Sequence, residues 1–119
     1  MRNLIFILFL FTSIANAQTG ADNRTYSLKE VTEAPAPDKV NFIEYFKQNF
    51  HATEKLALPL QISFVVEKGG VVRDIKTFGD VKPETTKEVV RVIKASPKWK
   101  PGKKDGKIVR VLYTASIKI

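Results

Sequence analysis

The chain has 119 residues, enough for one small domain, and carries 20 Lys and Arg against 12 Asp and Glu, a formal charge of +8. It contains no cysteine and one histidine. That excludes a disulfide framework, a thiol nucleophile, a lipid-modified cysteine, a Cys-based zinc site and a His-rich metal site, and no cofactor is expected.

Met1-Arg2-Asn3 is a short positive region, Leu4–Ile14 (LIFILFLFTSI) an apolar run, and Ala15-Asn16-Ala17 places small residues where a signal peptidase reads. This is the pattern of a secretory signal over 1–17, with cleavage expected between Ala17 and Gln18. As a helix the apolar run rises about 16 Å, against roughly 30 Å of bilayer hydrocarbon, which argues against a membrane anchor. An uncleaved signal would instead leave the protein anchored in the membrane. Export makes nucleic acid an unexpected partner despite the positive charge. Residues 18–39 are polar and contain EAPAPDK (Glu33–Lys39). Alternating proline favours a stiff, extended backbone, so this segment is expected to be a linker, a tether or a strap. There is no internal repeat, and 40–119 reads as a single domain.

Asn41–Phe50 (NFIEYFKQNF) places Phe42, Tyr45, Phe46 and Asn49 at helical spacing, and Asn41 with Glu44 matches a capping box. Such an aromatic helix covers a sheet or lies on a membrane surface; the first is the expectation. Leu58–Glu67 alternates, with Leu58, Leu60, Ile62, Phe64 and Val66 on one face, and Lys68-Gly69-Gly70 permits a tight reversal. Val71–Phe78 is the partner strand, and its imperfect alternation admits a bulge. Pro83 suits a first helical turn, Thr86, Val89, Val90 and Ile93 share a helical face, and the helix must stop before Pro97. In Lys107–Ile119 the residues Val109, Val111, Tyr113, Ala115, Ile117 and Ile119 line one face of a last strand. The order is helix, strand, strand, helix, strand. The expected fold class is α+β, a two-layer sandwich of a three-stranded antiparallel sheet and two helices.

The link into the last strand, Ser96–Lys107 (SPKWKPGKKDGK), holds the only tryptophan among lysines and prolines. Pro97 ends the helix. Trp99 is the one residue between the prolines able to bury a large area, so it is expected to anchor the crossover; stacking on a ligand is the alternative. Pro101-Gly102 and Asp105-Gly106 are expected to turn the chain.

Ser96-Pro97-Lys98-Trp99-Lys100-Pro101-Gly102-Lys103, then Gly106-Lys107, then Val109-Arg110-Val111-Leu112-Tyr113, resembles the C-terminal domain of TonB proteins. The Phe64–Gly70 hairpin and Glu88–Lys94 fit the same pattern, and the likeness spans about Phe42 to Ile119. The resemblance implies a periplasmic domain that binds a short extended segment of an outer-membrane transporter by adding it as a strand to the sheet edge. The whole proteins of that family transmit energy from an inner-membrane motor to transport across the outer membrane. Carried onto this chain, the pairing edge is the last strand: Lys107, Ile108, Val109, Arg110, Val111, Leu112, Tyr113 and Thr114. If that strand lies at the sheet margin, its outer amides are bare, with Arg110 and Lys118 blunting unwanted pairing.

Three functions compete. One is a periplasmic interaction module for a transporter segment. The second is an accessory domain whose lysines bind an anionic envelope surface without transducing energy. The third is an enzyme, and it is not expected, because pairs such as Asp74 and Glu88 read as surface charge and His51 has no evident partner.

Overall fold

The computed structural model describes residues 23–119; the expected signal, the Ala17–Gln18 cleavage point and the start of the polar segment lie outside the described residues. In chain order the elements are β1 (Thr25–Ser27), β2 (Ala36–Pro37), α1 (Phe42–Asn49), β3 (Leu60–Val66), β4 (Val72–Phe78), α2 (Pro83–Lys94), β5 (Trp99–Lys100), β6 (Gly102–Lys104) and β7 (Lys107–Ile117). The domain is α+β. Among the described residues no helix is long and apolar enough to cross a membrane.

Both helices begin where local chemistry satisfies their free amides. Asn41 Oδ1 accepts the Glu44 N–H at 3.0 Å, the expected Asn41 half of the capping box. Pro83 opens α2, but Lys82 supplies no side-chain cap. The carboxylate of Glu54, in the distant α1–β3 loop, does the work instead. Its Oε2 accepts the Lys82 N–H at 2.8 Å and the Thr85 hydroxyl, placing a negative charge at the positive end of the helix. Phe42 and Phe46 of α1, and Val89, Val92 and Ile93 of α2, are buried against the sheet side lined by Leu60, Ile62, Phe64, Val66 and Ile117. Each such side chain removed from water contributes about 1.5–3 kcal/mol. The Tyr45 hydroxyl donates to the Val92 carbonyl at 2.8 Å and ties the helices together.

The β3–β4 hairpin closes through Glu67 N–H to the Val71 carbonyl (2.8 Å) and Gly70 N–H to the Glu67 carbonyl (2.9 Å). Gly70 has a φ of 86°, and a Cβ there would lie 2.3 Å from the Trp99 carbonyl oxygen. Only glycine admits both the turn and the contact. The bulge sits between Ser63 and Val65 of β3, where β4 inserts an extra residue and Asp74 takes a φ of 56°.

The expected sheet of three antiparallel strands is instead five-stranded and mixed. β4, β3 and β7 are antiparallel neighbours, but β1 adds to the far side of β7 in parallel and β6 pairs with the start of β7. β2 and β5 form a separate two-stranded pair, Ala36 opposite Lys100 and Pro37 opposite Trp99. β1, β2, β5 and β6 are two or three residues long, too short to show a periodicity, and they exist because distant backbone arrives alongside. Proline-rich residues 33–38 are extended, as expected, and lie as a strap along the domain rather than leading away from it. Asp105-Gly106 makes the expected turn, with φ of 50° and 83°. Pro101-Gly102 does not: Gly102 belongs to β6.

Trp99 is 3% exposed. Its ring lies 5.3 Å from Phe42, 5.3 Å from Phe64 and 5.4 Å from Tyr113, and its Nε1–H donates to Ser96 Oγ at 2.9 Å. Ser96 Oγ in turn donates to the Ile93 carbonyl at 2.7 Å. The tryptophan thus closes the end of α2 and the sheet core together. Trp99→Ala is expected to cost about 3–5 kcal/mol, read as a large fall in the denaturation midpoint; an unchanged midpoint would make Trp99 a recognition residue instead.

The second prediction concerns acid. Arg91 donates to Glu88 Oε1 and Oε2, both at 2.7 Å, and to the Asn49 carbonyl at 2.9 Å, while Glu88 Oε2 accepts the His51 N–H at 2.8 Å. The Arg91 hydrogen bonds hold the Glu88 carboxyl down to about 2, from an ordinary 4.5. A pKa lower in the folded than in the unfolded chain stabilises above the unfolded value and is lost as pH falls through the folded one. The midpoint of urea unfolding should therefore decline between pH 4.5 and 2, and Glu88→Gln should flatten that decline.

Candidate functional site

β7 is paired with β3 along its inner side from Val111 to Ile117, opposite Val66 to Leu60. That side continues past the end of β3: Lys103 gives its N–H and carbonyl to the strap, so Gly102 and Lys104 turn theirs to β7 and meet Val109 and Lys107 on the side where β3 lies. Lys107, Ile108 and Val109 lie opposite Lys104, Lys103 and Gly102 of β6. On the outer side, Arg110, Val111 and Leu112 lie opposite Thr25, Tyr26 and Ser27 of β1. From Tyr113 to Ile117 no strand among the described residues pairs on that side. The edge expected to be bare over 107–114 is therefore covered on its outer side at Arg110–Leu112 by the chain's own backbone. The open part beyond it, Tyr113–Ile117, keeps Tyr113 and Thr114 of the expected set and extends past them.

Strand alternation orients the amides. Ser27 N–H donates to Glu30 Oε1 at 2.8 Å and its carbonyl accepts the Glu30 N–H at 3.1 Å, so the polar groups of Ser27 face away from β7. Those of Tyr26 then face β7, and across a parallel pair they meet the residues flanking Val111, namely Arg110 and Leu112. Continued along β7, the same alternation turns the backbone of Thr114 and Ser116 outward.

Tyr113, Ala115 and Ile117 point to the core side. The Tyr113 ring stacks on Phe64 at 5.0 Å and 15°, and burial pushes its phenol pKa up. Leu112, Thr114 and Ser116 stand on the opposite face, where Gln61 Nε2 donates to Ser116 Oγ at 2.8 Å.

Arg110 is not a free edge charge. Its guanidinium donates to Glu67 Oε1 at 2.8 Å and Oε2 at 3.2 Å, and to the Asn23 carbonyl at 3.4 Å. Glu67 also meets Arg73 at 3.4 Å, so one carboxylate at the hairpin holds two arginines. Lys118 is exposed and makes no ion pair among the described residues.

The outer edge of β4 differs. β4 pairs only with β3 among the described strands, but it carries Arg73, Asp74 and Lys76 and is kinked by the bulge. Charge and a bulge are how proteins discourage pairing at an edge. Tyr113–Ile117 carries neither.

Elsewhere, Leu58 and Phe78, 78% and 51% exposed, flank a groove of about 450 Å³ with Leu56, Val81, Glu54 and Asp80 at the ends of β3 and β4. No group of His, Cys, Asp or Glu among the described residues could hold a metal. His51 lends Glu88 its backbone amide, and Asp74 sits at the β4 bulge.

Of the motif residues, Trp99 is in the core and Pro97 follows α2. Gly102 is where the strap crosses: an added Cβ would lie 2.6 Å from Val111 Cγ2, 3.2 Å from Pro35 Cδ and 3.3 Å from the Glu33 carbonyl oxygen. No model of a known protein family, no curated protein and no solved structure matches this chain.

Gly102→Ala should destabilise the fold by about 1–3 kcal/mol, as overpacking does, with the loss appearing first as faster amide exchange at Thr32 and Glu33. A midpoint and exchange rates equal to the parent's would mean that the strap does not rely on this close approach.

Proposed function

We propose that this domain is a periplasmic interaction module of the TonB C-terminal kind, which takes up an extended segment of an outer-membrane transporter, or a similar partner, by strand addition at β7. The observation that carries the reading is the open, uncharged stretch Tyr113–Ile117, whose Thr114 and Ser116 backbone groups face outward beside a strand already added in parallel. Main-chain pairing supplies affinity in this mode, and side chains on alternate positions supply selectivity. The aromatic core beneath holds Tyr113, at the start of this stretch, against Phe64 and Trp99. The α+β order and the W-x-P-G-K element support the family resemblance, the expected signal supports an envelope location, and the reading assigns no catalytic residue.

A second reading has its own support. Lys104 and Lys107 lie directly opposite each other at the β6–β7 turn, with Lys103 beside them, and no carboxylate forms an ion pair with any of the three among the described residues. Such a cationic tip suits an anionic envelope surface such as lipopolysaccharide.

Proline at Thr114 separates the two, because it removes an outward amide without adding charge. Thr114→Pro should leave the denaturation midpoint nearly unchanged and weaken capture of the envelope partner at least tenfold. Capture by the parent should persist in 1 M salt, where the Debye length is roughly 3 Å. Binding that tolerates Thr114→Pro and collapses in salt would assign the function to the lysines.

A further inference from the structure

The segment before the strap is attached in two unequal ways. Residues 32–38 are built into the domain. The Thr32 and Glu33 amides donate to the Lys103 carbonyl at 2.8 and 3.0 Å, Lys103 N–H donates to the Glu33 carbonyl at 2.9 Å, and Asp38 N–H donates to the Lys98 carbonyl at 2.9 Å. Pro35 and Pro37 are buried. Residues 23–30 bury no side chain. The contacts of this arm include the short β1 pairing, Arg110 on the Asn23 carbonyl, its own Ser27–Glu30 turn, an exposed Arg24–Glu30 pair at 3.3 Å and the Arg24 guanidinium 4.1 Å over the Tyr26 ring. Exposed pairs of this kind contribute little, and parallel pairing, here over three residues, is slightly less stable per residue than antiparallel.

We propose that the arm Asn23–Glu30 is a displaceable strand, an intramolecular competitor that occupies Arg110–Leu112 of the binding edge until a partner strand replaces it. The inference rests on the reading of β7 as the binding edge. Tyr113–Ile117 is the open foothold. A segment that pairs there and extends along β7 meets β1 and must displace it to gain the rest. Because the strap anchors the arm a few residues away, the arm acts at an effective concentration of order millimolar. A short or poorly matched segment therefore loses, and only one long enough to use the foothold and the vacated positions wins. The arm also keeps this part of the edge from pairing with other chains.

The test uses the full chain and, as probe, a synthetic peptide with the sequence of residues 23–30, followed at millimolar concentration through the amide NMR shifts of Thr114 and Ser116. Tyr26→Pro removes the arm's β7-facing amide, together with the ring on which the Arg24 guanidinium stacks at 4.1 Å. Ser27→Cys with Leu112→Cys joins directly opposed positions, whose strand spacing of about 4.8 Å suits a disulfide, in a chain with no other cysteine. Tyr26→Pro should bind the peptide at least tenfold more tightly than the parent. The oxidised double-cysteine chain should not bind it, and reduction should restore the parent's affinity. In the parent, the Tyr26 amide should exchange at least a hundredfold faster than that of Phe64. Equal exchange rates, or binding that is the same in the locked, parent and Tyr26→Pro chains, overturn the displaceable arm while leaving β7 as the binding edge. Absence of binding in every chain, Tyr26→Pro included, overturns the edge reading and the arm with it.

Discussion

The structure depends on one cluster of aromatic rings. Phe42 of α1, Phe64 of β3, Trp99 of β5 and Tyr113 of β7 meet pairwise at 5.0–5.6 Å, mostly edge to face. Edge-to-face contact lets each ring present its positive rim to a neighbour's negative face, and each ring buries more area than any aliphatic residue nearby. Trp99 then extends the cluster outward. Its indole N–H reaches Ser96 at the end of α2, its carbonyl sits against Gly70 of the hairpin, and its backbone pairs with Pro37 of the strap. Three otherwise separate pieces of chain are located by one side chain and its peptide group.

Charge is placed around this cluster. Glu54 completes the start of α2, Glu88 with Arg91 joins the end of α1 to the middle of α2, and Glu67 collects Arg73 and Arg110 at the hairpin. These carboxylates neutralise fixed positive groups and satisfy amides that would otherwise face the loops alone. The lysines around β6 and the strap are less compensated, which is where the chain's excess positive charge is displayed.

The two sides of the sheet end in different ways for the same reason. An unpaired strand edge is an open set of donors and acceptors, and it must be blunted, covered or used. β4 is blunted by charge and a bulge. β7 is covered by β1 over Arg110–Leu112, and its last stretch is left plain. An uncharged open edge beside a lightly held strand is suited to regulated pairing.

Much of this was legible in local sequence. The spacing of Phe42, Tyr45 and Phe46, the capping by Asn41, Pro83 at a first turn, the alternation of Leu60–Val66, the imperfect Val71–Phe78 and the lone Trp99 each follow from chemistry within a few residues, which is why two helices, three main strands, a bulge and a buried tryptophan could be placed in advance. The short strands could not. Nothing in Thr-Tyr-Ser or Gly-Lys-Lys distinguishes a strand from a loop, because backbone hydrogen bonding carries no side-chain signature. Likewise nothing near Lys82 announces that Glu54, far away in sequence, caps its helix. The sequence by itself determined which faces are apolar and where the chain must turn. Only the tertiary structure decided which edge is open, because that depends on where residues 23–38 come to lie, and their pairing is made by main chain that reads the same in every residue.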